Sequence, residues 1–494
     1  QAANKTMGQG GFQEVEQLNL FKDMVCYQEE VRDPSRMAEV LNRVIEKAIR
    51  GSAPAQINVP RDYWTQVIDI DLPPIVRLER QGGGAEAIAN AANLLSKAKF
   101  PVILSGAGVV IGGAIEETKK LAEKLDSPVC SGYQHNDSFP GSHPLAVGPL
   151  GYNGSKAAME LISKADVVLA LGTRLNPFST LPGYGIDYWP KNANIIQVDI
   201  NPDRIGLTKK VTVGISGDAK LVAQQIFEKL SSTAGDTDRQ KRKDFIHQTK
   251  SAWLQKLSSL DHEDDDEGTV WNKEARERDK DRMSPRQAWR AIQAGMPDDV
   301  IISSDIGNNC AIGNAYPTFE KPRKYLAPGL FGPCGYGFPS ILGAKIGCPD
   351  TPVIGFAGDG AFGISMNEMS SCAREEWPAI TMVIFRNYQW GAEKRNTTLW
   401  FDNNFIGTEL DPELSYAKVA DACGLKGVTV KSMEETTAAI KKSCEDQKKG
   451  ITTFIEVILN QELGEPFRRD AMKKPVKVAG INKNDMKKQT SLNS

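Results

Sequence analysis

The chain has 494 residues, of which 40% are hydrophobic and 25% are charged, and its formal net charge is −2. This length predicts two or three domains with substantial cores. So small a net charge gives no overall attraction to nucleic acid or to an anionic membrane, and no apolar run is long enough to span a bilayer. Eight cysteines without a CxxC pair predict reduced thiols in a cytoplasmic protein, and the presence of only four histidines argues against a histidine-cluster metal site.

Residues 1–75 contain the pattern of little more than one helix and one strand. The helix is predicted from Pro34 to about Arg50 by its apolar spacing, and a short strand over Ala55–Val59 ends at Pro60. This is too little for a domain. We interpret it as the C-terminal remnant of an α/β domain whose front part we expect to be absent, since the first residue is Gln1 rather than Met.

Residues 85–232 predict a complete α/β domain. Helical patterns alternate with apolar runs, which is typical of a doubly wound parallel sheet; the predicted strands are 101–105, 128–131, 167–171 and 195–199. The first strand leads into Gly106-Ala107-Gly108, a loose dinucleotide-type turn. That turn indicates either close packing of a helix against the sheet, which we favour, or binding of a flavin or nicotinamide nucleotide.

The remaining sequence is divided by its charge pattern. Residues 233–283 are strongly charged and predict a solvated connector between domains. Residues 284–460 resume the α/β pattern and predict a further doubly wound domain, and residues 461–494 form a C-terminal arm rich in Lys and Arg. In the central domain, His135 is predicted to make loop hydrogen bonds, with an active-site position as the alternative.

The most informative stretch is 353–391. An apolar run breaks at Gly358-Asp359-Gly360, a helical pattern follows, and a second apolar run ends before Asn387, 28 residues after Asp359. Ligands bind at the carboxyl ends of parallel strands. Glycines allow backbone amides to approach an anion, and carboxylate and amide oxygens suit a small cation. The pattern therefore predicts a site for a diphosphate bridged by magnesium.

This stretch resembles the cofactor-binding motif of thiamine diphosphate enzymes of the acetolactate synthase type. Phe12-Gln13-Glu14 and the segment 332–339 (GPCGYGFP) are similar to further motifs of that family. The resemblance implies doubly wound parallel-sheet domains, the first of them incomplete here, with thiamine diphosphate and magnesium as cofactors. It also implies a homodimer or homotetramer, because the first domain of one subunit meets the third domain of another.

Site residues follow from the resemblance position by position. Magnesium would be held by Asp359, Asn387 and Gln389. The cofactor would be bound by Gly307, Asn308, Asn309, Gly332, Cys334, Gly358, Asp359, Gly360, Ala361, Asn387, Gln389 and Gly391. Cys334 stands where the family usually has a larger apolar residue, which supports the cofactor in its bent conformation. Because Cys is smaller, we expect either weaker support or a neighbouring side chain that fills the remaining space. The family's activating glutamate has no match in this chain, so we expect the chain itself to be poorly active.

Long stretches such as 132–144 (GYQHNDSFPGSHP) and 385–405 (FRNYQWGAEKRNTTLWFDNNF) resemble the sulfoacetaldehyde acetyltransferase branch of that family. This resemblance implies conversion of sulfoacetaldehyde and phosphate to acetyl phosphate and sulfite during taurine degradation, with the cofactor as electron sink. Gln13, Lys394 and Arg395 are the catalytic candidates. The two cations would hold the anions, or else pair with acidic side chains. The alternatives are an acetolactate synthase or 2-oxo-acid decarboxylase, a non-catalytic cofactor-binding fragment, and a flavin- or nicotinamide-dependent oxidoreductase.

Overall fold

A computed structural model describes residues 1–74, 79–231, 236–259, 279–329, 331–374, 376–401 and 404–461, with only the backbone described at 236–238, 395, 396 and 398–400. The chain separates into two compact units, Gln1–Gln81 and Gly82–Ser494. In the described part of the chain, no helix combines the length and the apolar character needed to cross a membrane.

The first unit is built on two parallel strands, β1 (Tyr27–Glu30) and β2 (Ala55–Asn58), joined by the helix Met37–Gly51. A shorter helix covers Gln17–Phe21. The long helix begins three residues later than predicted, because Pro34–Arg36 forms a 3-10 turn. The hydrophobic core of the first unit is small, and its buried residues are Val31, Val40, Val44 and Tyr63.

The second unit contains a six-stranded parallel sheet in the order β5-β4-β3-β6-β7-β8. Its strands are β3 (Pro101–Ser105), β4 (Val129–Ser131), β5 (Ala146–Pro149), β6 (Val167–Leu171), β7 (Asn194–Asp199) and β8 (Val213–Ser216). The two edge strands, β5 and β8, are additional to those predicted, because both are short and contain glycine. The helices around this sheet are Ala85–Lys97, Ala107–Gly112, Ile115–Leu125, Lys156–Ile162 and Ala219–Lys229.

A second six-stranded parallel sheet has the order β10-β9-β11-β12-β14-β13. Its strands are β9 (Ile301–Ser304), β10 (Tyr325–Leu326), β11 (Val353–Gly358), β12 (Thr381–Arg386), β13 (Lys426–Val430) and β14 (Thr453–Ile458). Its helices are Pro285–Gly295, Asn308–Ile312, Gly337–Gly347, Asp359–Ser365, Met369–Cys372, Gly391–Trp400, Tyr416–Ala422 and Met433–Gln447. The strand order reverses between β9 and β11, and in such sheets a crevice opens at the carboxyl ends of the strands at this point.

The segment predicted as a solvated connector contains a 24-residue helix, Asp236–Ser259. Ile246, Trp253 and Leu257 are buried on it, so this part of the connector is packed against the rest of the unit rather than solvated. The prediction missed this because the few apolar residues of the helix stand among many charged ones. Residues 260–278 of this charged segment lie outside the described residues, as does the predicted arm from residue 462 onward.

Candidate functional site

A pocket of about 230 Å³ opens at the carboxyl ends of β9, β11 and β12. All twelve residues predicted to bind the cofactor line it, together with Ile306, Trp390, Ala392 and Glu393. Sequence positions as distant as 307 and 391 meet here because parallel strands all end at the same edge of the sheet. The structure therefore brings the predicted set into one place.

Two glycines at this pocket are required by the backbone and by packing. Gly307, which follows β9 and precedes the helix Asn308–Ile312, has φ +116° and ψ 172°, a conformation that is open essentially to glycine alone. At Gly360 a Cβ would lie 2.8 to 3.0 Å from three ring atoms of Trp390. The indole of Trp390 thus packs directly against the Gly358-Asp359-Gly360 turn, and it forms part of the pocket wall.

Asp359 is the buried acidic group of the pocket. Its Oδ2 accepts hydrogen bonds from Arg386 (3.0 Å) and from the Tyr388 amide (2.7 Å), and its Oδ1 accepts one from the Gly360 amide (3.0 Å). Burial raises the pKa of Asp359 to about 6, although Arg386 and the amides act in the opposite direction. A cation bound at this carboxylate would further favour its charged form.

Several amide side chains at the pocket carry polar atoms that have no partner in the described part of the chain. Both side-chain polar atoms of Asn308, Oδ1 of Asn309 and Oε1 of Gln389 are buried and have no hydrogen-bond partner among the described residues. Buried polar atoms are normally paired, so these four atoms indicate that the pocket is built for a polar ligand. A diphosphate with a divalent cation fits, because the site offers amide donors, carboxylate and amide oxygens, and glycine backbone.

Asp305 organises one wall of the pocket, and the sequence prediction did not assign it a role. Its carboxylate accepts hydrogen bonds from the amides of Ile306 (2.8 Å), Gly335 (3.1 Å) and Gly337 (2.7 Å). Burial raises its pKa. The glycine-rich segment that carries Cys334 is thereby fastened to the end of β9. The position of Asp305 directly after a predicted strand was the available signal.

Lys394 and Arg395, the residues predicted to hold the substrate anions, differ in what the structure describes of them. The Lys394 ammonium contacts the carboxylate of Glu409 and lies 3.1 Å from Oε1 of Gln461, which corresponds to the alternative of pairing with an acidic side chain. Arg395 belongs to the helix Gly391–Trp400, but its side chain lies outside the described part of the structure. The neighbouring Arg386 is fully buried against Asp359, so it stabilises the pocket floor and does not face an open cavity.

Gln13 lies in the first unit, in a turn where its φ is +60°. Its catalytic role stays a prediction. Cys334 lines the pocket. Partial burial raises the pKa of its thiol, and the negative charges of Asp305 and Glu393 act in the same direction, so the environment favours the neutral thiol.

The glycines of the central-domain turn are explained by packing. A Cβ at Gly106 would lie 2.5 Å from the carbonyl oxygen of Gly172, and one at Gly108 would lie 2.7 Å from the Gly172 Cα. The Gly108 amide also donates to that carbonyl oxygen (2.8 Å). Close contact between the loops after β3 and β6 therefore accounts for both glycines, which agrees with the interpretation favoured from the sequence.

Comparison with known proteins agrees with this geometry. The chain matches the families "Thiamine pyrophosphate enzyme, central domain" over residues 88–226 and "Thiamine pyrophosphate enzyme, C-terminal TPP binding domain" over residues 305–457. Its fold is similar to benzoylformate decarboxylase from Polynucleobacter necessarius, with a TM-score of 0.74 over 94% of this chain and 82% of that chain, at 18% identity. The fold and the pocket define a thiamine pyrophosphate (thiamine diphosphate) enzyme, which confirms the predicted fold class.

The curated relatives are more specific. The chain is 78% identical to a probable sulfoacetaldehyde acetyltransferase of Rhizobium meliloti (99% of this chain, 83% of that protein) and 73% identical to the sulfoacetaldehyde acetyltransferase of Roseovarius nubinhibens (99% and 81%). A probable acetolactate synthase large subunit of Methanococcus aeolicus is 30% identical over 90% of this chain and 74% of that protein. The chain belongs to the sulfoacetaldehyde acetyltransferase family of thiamine pyrophosphate enzymes, and is an acyltransferase.

Proposed function

We propose that the protein converts sulfoacetaldehyde and phosphate to acetyl phosphate and sulfite, using thiamine diphosphate and magnesium. The observation that carries this proposal is that one pocket is lined by all twelve predicted cofactor residues, in a chain 78% identical to a relative named for this substrate. Acetolactate synthase activity is disfavoured, because identity to the relatives named for it is only 30% or less.

The chain's own groups suit the cofactor. Asp359 and Asn387 would bind magnesium through side-chain oxygens, and Gln389 through its backbone carbonyl, while Asn308 and Asn309 would meet the diphosphate with polar atoms that are otherwise unpaired. When bound, thiamine diphosphate supplies a carbanion that can attack the aldehyde carbon and an electron sink for the loss of sulfite.

Other residues would orient the reactants. Asp305 holds the glycine-rich segment in place through three backbone amides, and this fixes the pocket wall at Cys334. Gln13 is proposed to approach the reacting centre. Lys394 and Arg395 are proposed to attract the sulfonate and phosphate anions. For Lys394 the present pairing with Glu409 means that it would act through a local positive field, or after that ion pair opens.

The state and setting of the protein are also proposals. We propose a homodimer or homotetramer, as in the family, and a cytoplasmic location in which the eight cysteines remain reduced. Participation in taurine degradation would follow from the substrate. Size-exclusion chromatography with light scattering tests the oligomeric state independently of activity.

The function is tested by incubating the purified protein with sulfoacetaldehyde, thiamine diphosphate and Mg²⁺, with and without phosphate. We expect sulfite release, at a low rate because the family's activating glutamate has no match in this chain, and acetyl phosphate formation only when phosphate is present. Omission of thiamine diphosphate, or addition of a chelator, should abolish both products. A protein that consumes pyruvate but releases no sulfite would overturn the substrate assignment and leave the cofactor assignment standing.

A further inference from the structure

We infer that Gln461 is a positioning residue for the proposed magnesium site, acting on the loop that follows β12. This inference rests on the proposed function, because it concerns the residues that would hold the metal. Gln461 lies just beyond β14 and is 3% exposed. It was not among the residues predicted from the sequence, and it does not line the pocket.

Gln461 contacts two of the three predicted metal ligands. Its side-chain Nε2 donates to the backbone carbonyl of Asn387 (3.2 Å), and its own backbone carbonyl accepts from Nε2 of Gln389 (3.2 Å). The first contact fixes the peptide that carries the Asn387 side chain. The second holds the Gln389 side-chain amide through its Nε2, while its Oε1 has no partner among the described residues. Gln461 thus restrains both Asn387 and Gln389 without lining the pocket itself.

Gln461 is itself held by a charged pair. Its Oε1 accepts from the Lys394 ammonium (3.1 Å) and its Nε2 also donates to Glu409 (3.1 Å). Lys394 and Glu409 form an ion pair with each other, and Glu409 pairs through its backbone with Gln389. Both ends of the Gln461 amide are therefore fixed, which makes its contact with the loop directional.

The loop needs such support because it departs from regular structure at this point. β12 ends at Arg386, and Tyr388 has φ +60°, which is strained for a residue with a side chain. β14 pairs with β12 up to the Arg386–Ile458 pair, and the Leu459 amide donates to the Arg386 carbonyl (3.0 Å). The chain leaving β14 therefore runs beside the loop and places Gln461 against it.

Gln447 provides a matched control. It is likewise a buried glutamine (6% exposed), and it also makes three side-chain hydrogen bonds, two with the backbone of Val353 and one with the hydroxyl of Thr381. These partners lie at the starts of β11 and β12, at the opposite end of the strands from the pocket. Gln461→Met and Gln447→Met remove equivalent amides while keeping side-chain volume.

The experiment titrates Mg²⁺ into each protein at saturating thiamine diphosphate, and thiamine diphosphate at saturating Mg²⁺, by isothermal titration calorimetry. We expect both variants to lose thermal stability to a similar degree. Only Gln461→Met should weaken Mg²⁺ binding, by about tenfold, as is typical when a support behind a metal ligand is removed. If Gln461→Met does not fold, Gln461→Asn, whose amide is one methylene short of the loop, replaces it.

Equal Mg²⁺ affinity in Gln461→Met and Gln447→Met would overturn the inference, because Gln461 would then only stabilise the fold. Failure of the unaltered protein to bind thiamine diphosphate with Mg²⁺ would instead overturn the proposed function. The two failures are therefore distinguishable in the same set of titrations.

Discussion

At the level of single residues, the pocket combines a buried ion pair with unpaired amides. Asp359 and Arg386 are 1% and 0% exposed, and the guanidinium also donates to the carbonyl oxygens of Asp411 and Leu414. Such a pair is costly to desolvate and costly to break. Its charges are largely satisfied by protein groups, whereas the amides of Asn308 and Asn309 retain unpaired atoms. The polar atoms without a partner are therefore on these amides, whereas Asp359 would meet magnesium through an oxygen that already accepts a hydrogen bond.

Gly360→Ala should destabilise the protein by about 1–3 kcal/mol, because the added methyl group would overlap the Trp390 ring. Displacement of that ring, which lines the pocket, should also weaken thiamine diphosphate binding. Urea unfolding measures the first effect and calorimetric titration the second.

Gly343→Ala is the control for this substitution. Gly343 is exposed within the helix Gly337–Gly347, and a Cβ there would have no atom within 4 Å. Alanine should therefore stabilise the helix by about 0.5–1 kcal/mol and leave cofactor affinity unchanged. Similar results for the two glycines would contradict the proposed contact between Gly360 and Trp390.

At the level of elements, the helix Asp236–Ser259 stabilises the central sheet domain through one buried arginine. The guanidinium of Arg242 donates to the carbonyl oxygens of Lys99 (2.7 Å), Leu125 (2.6 Å) and Asp126 (3.0 Å). Two of these carbonyls lie at the end of the helix Ile115–Leu125, where the helix dipole favours a positive charge. The charged segment therefore supplies a cap to another helix.

Arg242→Met should lower the free energy of unfolding by about 2–4 kcal/mol, because three carbonyl groups lose a charged donor and two of them, on Leu125 and Asp126, are buried. Gln248→Met, at an exposed position of the same helix, should change it by less than about 0.5 kcal/mol. Chemical unfolding of both variants measures this difference. A small effect at Arg242 would mean that water replaces its hydrogen bonds.

At the level of the whole second unit, the loop 132–138 connects the central sheet domain to the cofactor-binding sheet domain by hydrogen bonds. The backbone amide of Gln134 donates to Oδ1 of Asn314 (3.0 Å), and the Asn136 side chain donates to the carbonyl oxygens of Asn314 and Pro317 (2.8 Å each). Asn314 lies in the turn directly after the helix Asn308–Ile312. The hydrogen bonds of the loop therefore hold the C-terminal end of the helix that begins at the pocket. His135 lies within the same loop.

This loop predicts a dependence of stability on pH. Burial lowers the pKa of His135 to about 4, against about 6.5 in the unfolded chain. The unfolded chain therefore binds the proton more readily, and stability should fall as the pH drops from about 6.5 toward 4. His135→Gln should reduce this loss by about 2 kcal/mol, as measured by unfolding at pH 7 and pH 4.5.

His247→Gln, at an exposed position of the helix Asp236–Ser259, is the control for replacing a histidine by glutamine. A pH profile that His135→Gln does not flatten would show that the imidazole is accessible to solvent in the folded state.

Much of the pocket could be predicted because its residues follow strands with strong apolar patterns. Asp359 and Asn387 each come directly after such a run, and parallel strands must end on the same edge. Gln461 and Glu409 could not be found this way, because they reach the site from segments without a recognisable pattern. The edge strands β5 and β8 and the helix Asp236–Ser259 were missed because their apolar residues are few.

The sequence alone therefore determined the alternation of strands and helices, the family, and the residues that meet at the pocket, because local periodicity and motif spacing are properties of the chain itself. Tertiary structure alone decided the partners of the charged groups. Lys394 pairs with Glu409, and Arg386 with Asp359. These pairs depend on which loops lie side by side after folding, and burial then makes such pairing necessary, since an unpaired buried charge is too costly to keep.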